Sequence, residues 1–98
     1  MKVNFKEFKV FKDLKKTKSE VFDIQNLLAE FVYTNGGGFK GMRMANKIAD
    51  GKNGIVDLDD EEVTMLLAIS DNGNMRCDLL SSLHDLLDNK ENKPIKNK

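Results

Sequence analysis

Residues 51–69, GKNGIVDLDDEEVTMLLAI, contain the signals that decide the local fold of this chain. The two glycines at the start supply the backbone freedom of a tight turn. Residues 55–58, IVDL, favour extended structure. Asp59 and Glu62 have the spacing of a capping box, in which each side chain bonds a backbone N–H at a helix start. The stretch therefore predicts a turn, a short strand and a helix, but it indicates no chemistry.

Upstream of this stretch, residues 5–14, FKEFKVFKDL, are rich in aromatic and β-branched side chains and predict a strand. A second extended run at residues 20–22 follows a lysine-rich turn, so the two runs predict a β-hairpin. The spacing of three also allows a helical stripe through Phe5, Phe8, Phe11 and Leu14. A lone hairpin is marginally stable in water, so we expect residues 54–58 to add a third strand.

Two helices are predicted between the hairpin and the central stretch. Asp23 caps the first, whose apolar face is formed by Ile24, Leu27, Leu28, Phe31 and Val32. That helix ends before the three glycines at residues 36–38, because glycine costs about 1 kcal/mol of helix stability relative to alanine. The second helix covers residues 39–49, and its inner face is predicted to comprise Phe39, Met42, Ala45, Ile48 and Ala49.

Two more helices complete the predicted domain. The third follows Asp59, with Val63, Leu66 and Leu67 inward, and ends at a turn over residues 70–74. The fourth covers about residues 75–88, with leucines at helical spacing. We predict one α+β domain over residues 1–88, in which a small antiparallel sheet packs against three to four helices. Residues 89–98 have little apolar content and predict a disordered basic tail.

Composition limits the class of protein. The 98 residues allow one domain with a modest core. No apolar run approaches the roughly 20 residues of a membrane helix, and no secretory signal is visible. The single cysteine, Cys77, cannot form a disulfide within the chain, so we expect a cytoplasmic protein.

The net charge is zero, but it is unevenly distributed. Residues 1–18 carry seven lysines and two acids, and residues 89–98 carry four lysines and one acid. The body between them, residues 19–88, carries thirteen acids and five bases. Two interpretations stay open: the basic ends bind an anionic partner, or they are solvated and lean on the acidic body.

Few residues could support chemistry. The glycines at 36–38 suggest an anion site only weakly, since they match no phosphate-binding motif and fit a loop between helices better. Residues 50–61 fit a calcium loop poorly, because with Gly54 as the sixth residue two ligand positions fall on Ala49 and Gly51. Cys77 and His84 are separated by about 10 Å of helix rise and make neither a zinc site nor a catalytic pair. We therefore predict no catalytic residue, metal, cofactor or small-molecule substrate.

One basic stripe is a candidate contact for nucleic acid. Lys40, Arg43 and Lys47 are spaced by three and four residues on the second predicted helix. Such a helix face can meet phosphates. The chain contains only two arginines, the residues that most often read bases, so an exposed, solvated face is the competing interpretation.

The order of elements resembles a loose set of small, uncharacterised proteins encoded by bacteriophages and prophages. The shared features are the basic hairpin, Tyr33-Thr34-Asn35-Gly36, the Ala-x-Lys-Ile run at residues 45–48 and the acidic segment at residues 54–63. The resemblance covers about residues 8–88 and implies an accessory protein of the host cytoplasm. Our first hypothesis is a non-enzymatic protein that binds a protein partner or itself. The alternative is a nucleic-acid-binding protein that uses the basic hairpin and the stripe of Lys40, Arg43 and Lys47.

Overall fold

The computed structural model describes the backbone of residues 1–96 and the side chains of residues 1–87. Strands and helices alternate irregularly along the chain within that part, which confirms the α+β class. In chain order the elements are β1 (Lys2–Asn4), β2 (Phe8–Phe11), β3 (Ser19–Phe22), α1 (Gln25–Asn35), α2 (Gly38–Ala49), β4 (Ile55–Asp57), α3 (Asp60–Asn72) and α4 (Cys77–Lys96).

The strands form two small antiparallel sheets, where the sequence predicted one. The hairpin is confirmed, because β2 pairs with β3 and Phe8 lies opposite Phe22. The third predicted strand, β4, pairs instead with β1, and Val3 lies opposite Val56. The Asn4 side chain explains the division, because its oxygen accepts the N–H groups of Lys6 and Glu7 at 2.9 and 3.2 Å. These bonds turn the chain between β1 and β2 and separate the two sheets.

Phe5 joins the two sheets to the first helix. Its N–H donates to the Gly54 carbonyl at 2.8 Å, and its carbonyl accepts the Ile24 N–H at 2.7 Å. Its ring is fully buried in the core that the helices share. The largest buried side chains of that core include Leu28, Ile48, Leu58, Leu66, Leu83, Leu87, Val10 and Val32. In the aromatic run at residues 5–14, Phe5 therefore reaches the core from a turn and Phe8 reaches it from a strand. The helical interpretation of that run was wrong.

The start of α1 differs from its prediction. Ile24, rather than Asp23, occupies the N-cap position, and no side chain caps the helix there. The Asp23 carboxylate still accepts the Gln25 N–H at 3.2 Å. The buried Gln25 amide donates to the carbonyls of Ile48 at 3.0 Å and Gly51 at 2.7 Å. Gln25 therefore ties the start of α1 to the end of α2 and satisfies carbonyls that a helix end leaves unpaired.

The buried face of α2 is rotated relative to the predicted face. Met44, Ala45 and Ile48 are buried, whereas Phe39 is 67% exposed and Met42 is 40% exposed. The reason is a close approach of backbones at Gly41, where an added Cβ would lie 2.8 Å from the Gly36 carbonyl carbon. Because only glycine permits that approach, the Gly41 side of α2 packs inward and turns Phe39 outward.

The two C-terminal helices are longer than predicted. The capping box at the start of α3 is confirmed, since Asp59 accepts the Glu62 N–H at 2.7 Å and Glu62 accepts the Asp59 N–H at 3.0 Å. The α3 helix continues to Asn72, so the following turn is shorter than expected. The α4 helix continues past the predicted end at residue 88, because no glycine interrupts the chain after Gly73. The disordered tail predicted for residues 89–98 lies outside the described side chains and stays a prediction.

Candidate functional site

The three predicted contact residues lie together in one groove. Lys40, Arg43 and Lys47 project from α2 into an open groove of about 950 Å³ between α2 and α3. The groove exists because α2 packs mainly against α1, whereas α3 packs against α4 and α1. The sequence therefore identified a real cluster of side chains, although it placed the cluster on an open helix face rather than in a groove.

The opposite wall of this groove is acidic. Asp59, Glu61 and Glu62, from the N-cap and first turn of α3, face the three cations of α2. The Lys47 ammonium lies 2.7 and 2.8 Å from the two carboxylate oxygens of Glu62. This ion pair joins the end of α2 to the start of α3 across the groove. Sequence reasoning missed it, because nothing in the spacing of the two residues shows that the chain returns past β4 to this point.

Three charges remain available in the groove. The side chains of Lys40 and Glu61 are exposed and make no hydrogen bond or ion pair with another described residue. The Arg43 guanidinium lies 5.8 Å from the centroid of the Phe39 ring. That contact orients the guanidinium but leaves its N–H donors free for an acceptor. Asp59 and Glu62, by contrast, are engaged in the capping box.

The groove also has an apolar lining, here called its floor. Met44 is buried, Met65 is half-buried and Ala68 is exposed, and the polar residues Asn46 and Thr64 line the groove as well. Methionine side chains are unbranched and polarizable, so they adapt to differently shaped apolar groups. The groove thus combines an adaptable floor with one basic and one acidic wall.

The basic hairpin is arranged differently. The Lys16 ammonium lies 2.5 Å from the Asp85 carboxylate of α4. The Lys12 ammonium lies 3.9 Å from carboxylate oxygens of both Glu20 and Asp78. These two lysines therefore lean on the acidic body of the protein, which is one of the two interpretations that the charge distribution allowed.

His84 and Cys77 do not come together. The His84 Nε2 atom lies 2.6 Å from Asp71 Oδ1, so the imidazole joins α4 to α3 rather than facing solvent with Asp85. Cys77 is an exposed free thiol. Within the side chains described, no group of three or more His, Cys, Asp or Glu residues could hold a metal ion. Among residues 1–96, every helix is too short or too polar to cross a membrane.

Comparisons of the chain with models of protein families, with curated proteins and with solved structures found no match.

Proposed function

We propose that this is a non-catalytic protein that acts by binding a segment of another protein in the groove between α2 and α3. The observation that carries the proposal is the pair of oppositely charged walls on either side of a methionine floor. Complementary charges at the edge of an apolar contact are how protein interfaces set orientation and exclude wrong partners.

The free charges indicate the chemistry of the partner segment. An acidic side chain of the segment would meet Lys40 and Arg43, and a basic side chain would meet Glu61 on the other wall. An apolar side chain between them would cover Met65 and Ala68, since Met44 is already buried. An amphipathic helix with an acid and a base flanking its apolar stripe supplies all three groups.

The acidic wall argues against a polyanion as the occupant. A phosphate backbone at Lys40 and Arg43 would lie beside Glu61 and the Lys47–Glu62 ion pair, where the three carboxylates offset the three cations. Two of the hairpin lysines are also held by carboxylates of α4, since Lys12 pairs with Asp78 and Lys16 pairs with Asp85. Nucleic-acid binding stays the alternative proposal, and it predicts a different outcome in the experiment below.

A small accessory protein of phage or prophage origin, active in the cytoplasm, would work in this way. Such a protein needs no chemistry of its own, because occupying a surface of a host or phage protein is sufficient to alter that protein's activity. This origin is part of the proposal, and it rests on the resemblance of residues 8–88 to small phage-encoded proteins.

Selection from a random peptide library tests the proposal. We expect the enriched peptides to carry an acid and a base on either side of an apolar residue. Their binding should weaken at least tenfold in Arg43→Glu. Lys9→Glu, the same charge reversal at an exposed position of β2, is the matched control and should bind as the parent does. Enriched peptides without this pattern, or equal binding to both variants, would overturn the proposal.

Fluorescence anisotropy with a generic oligonucleotide tests the alternative. At roughly 150 mM salt the Debye length is about 8 Å, so only close phosphate contacts survive. The groove proposal predicts no binding at tens of micromolar protein. Sub-micromolar binding that falls steeply with salt, and that is lost when Lys40, Arg43 and Lys47 are all replaced by alanine, would favour the nucleic-acid-binding function instead.

A further inference from the structure

The β3 strand has an open edge. Within residues 1–96 its sheet has two strands, and β3 pairs with β2 alone. All four of its residues are exposed, including Val21 at 60% and Phe22 at 40%. An open edge presents unpaired backbone groups to any strand that approaches it.

Hydrogen bonding shows which backbone groups face that edge. The Lys12 N–H donates to the Lys18 carbonyl at 2.8 Å, which is one of the two bonds of a hydrogen-bonded pair at the end of the ladder; the Lys18 N–H donates to the Asp13 carboxylate instead, at 3.0 Å. Bonded and non-bonded pairs alternate along such a ladder, so Ser19 and Val21 are in non-bonded pairs. Their N–H and carbonyl groups therefore point away from β2. The partner of Ser19 confirms the alternation, because the Phe11 N–H points away from β3 and donates to Ser82 Oγ at 3.1 Å.

We propose that the open edge of β3 pairs with β3 of a second copy of this chain, antiparallel across a two-fold axis, with Ser19 opposite Ser19. The pairing would join two two-stranded sheets into one four-stranded sheet, which is a far more stable unit than a lone pair of strands. A two-fold axis makes the contact closed, so it yields a dimer rather than a fibre.

Charge selects this register from the three that the outward groups allow. With Ser19 opposite Val21, the two Glu20 carboxylates would face each other, which is destabilising. With Val21 opposite Val21, Lys18 would lie opposite Ile24 and Glu20 opposite Phe22, so neither charge would face an opposite charge. With Ser19 opposite Ser19, Lys18 of each copy faces Glu20 of the other copy, so the two-fold axis generates two pairs of opposite charge.

The chosen register also fits the neighbouring backbone groups. The two Ser19 residues would exchange two hydrogen bonds. The Val21 N–H of each copy would donate to the Thr17 carbonyl of the other. The Thr17 N–H is already bonded to the Asp13 carboxylate at 2.9 Å, so it would not be left unpaired. The residues of this ladder do not line the groove between α2 and α3, so the dimer and the partner segment use separate surfaces.

Cysteine cross-linking tests the register. In a Cys77→Ser background, Ser19→Cys should form a covalent dimer under mild oxidation, because opposed residues have Cα atoms about 5.5 Å apart, within disulfide range. Val21→Cys should not, since its two copies would be offset by four residues, or about 13 Å. Leu14→Cys, at a fully exposed position, measures random collision. Cross-linking of Val21→Cys, or of Ser19→Cys no faster than Leu14→Cys, would overturn the proposal.

Sedimentation of charge-swapped variants tests the pairing without a covalent bond. The parent should dimerise between roughly 1 µM and 1 mM. Lys18→Glu and Glu20→Lys should each weaken the dimer by roughly tenfold, because each places like charges opposite each other twice. The double variant restores opposite charges and should dimerise as the parent does, and circular dichroism verifies that each variant is folded. A parent that is monomeric at ~1 mM, or a double variant as weak as the singles, would contradict the pairing, while peptide binding in the groove would be unaffected.

Discussion

The basic hairpin and the basic face of α2 both carry closely spaced cationic side chains, but the side chains around them differ. In the hairpin, Lys12 and Lys16 each reach a carboxylate of α4. On α2, Lys47 is the one cation with an ion pair among the side chains of residues 1–87, and the pair lies across a groove rather than on a packed surface. Lys40 and Arg43 therefore keep their capacity to bind a partner. The comparison teaches that the fold, rather than the spacing of the lysines, decides which of them have a carboxylate within ion-pair distance.

The largest expected effect concerns the core on which both basic surfaces are built. Leu28→Ala removes a side chain that is 1% exposed in the centre of α1, and it should destabilise the protein by about 2–5 kcal/mol. Leu27→Ala is the matched control, because Leu27 is the adjacent leucine and is 53% exposed. Chemical denaturation should show a large loss for the first variant and a small one for the second. Equal losses would mean that the buried face of α1 is wrongly identified.

A smaller loss of stability is expected from a substitution in the acidic wall of the groove. Asp59→Ala removes the carboxylate that accepts the Glu62 N–H, and it should destabilise the protein by roughly 0.5–2 kcal/mol. Millimolar calcium should leave the thermal midpoint of the parent unchanged, because Asp59 and Glu62 are engaged by backbone N–H groups and Lys47, which leaves Glu61 as a single carboxylate. A calcium-dependent rise in the midpoint would show that the acidic wall is a metal site.

The smallest effect is expected at the tip of the hairpin and depends on pH. The Thr17 hydroxyl, followed by the Lys18 N–H, holds the pKa of Asp13 below its ordinary value of 3.8. A carboxyl whose pKa is lowered by folding stabilises the folded state above its ordinary pKa, and that contribution is lost as the pH falls through the lowered value. A carbon-detected NMR titration should therefore give Asp13 a midpoint below 3.8. In Thr17→Val the midpoint should move up towards 3.8, and no movement would show that the hydroxyl is not the cause.

The sequence predicted those features of the fold that depend on residues close together in the chain, namely helix caps, turns and loops. The capping box could be recognised because Asp59 and Glu62 are three residues apart and bond each other's backbone. The hairpin and the loop between α1 and α2 follow in the same way from turn and glycine-rich segments. The α+β class then follows from the number and order of these elements.

Contacts between distant residues could not be predicted in this way. The rotation of α2 depends on the approach of Gly41 to Gly36, which is a property of two packed helices. The pairing of β4 with β1 depends on a turn set by the Asn4 side chain. The Lys47–Glu62 pair joins residues that only the tertiary fold brings together. The sequence therefore identified the cations of the candidate site and missed the acidic wall that gives the site its character.

Chemical-shift mapping tests the central claim, that the groove between α2 and α3 binds a partner segment while the hairpin does not. The measurement is a ¹H–¹⁵N correlation spectrum of the protein, titrated with the tightest peptide from the library selection. We predict that the largest shifts fall at Lys40, Arg43, Glu61 and Met65, and that Lys12 and Lys16 do not move. Shifts concentrated in β2 and β3, with none in α2 and α3, would contradict the account.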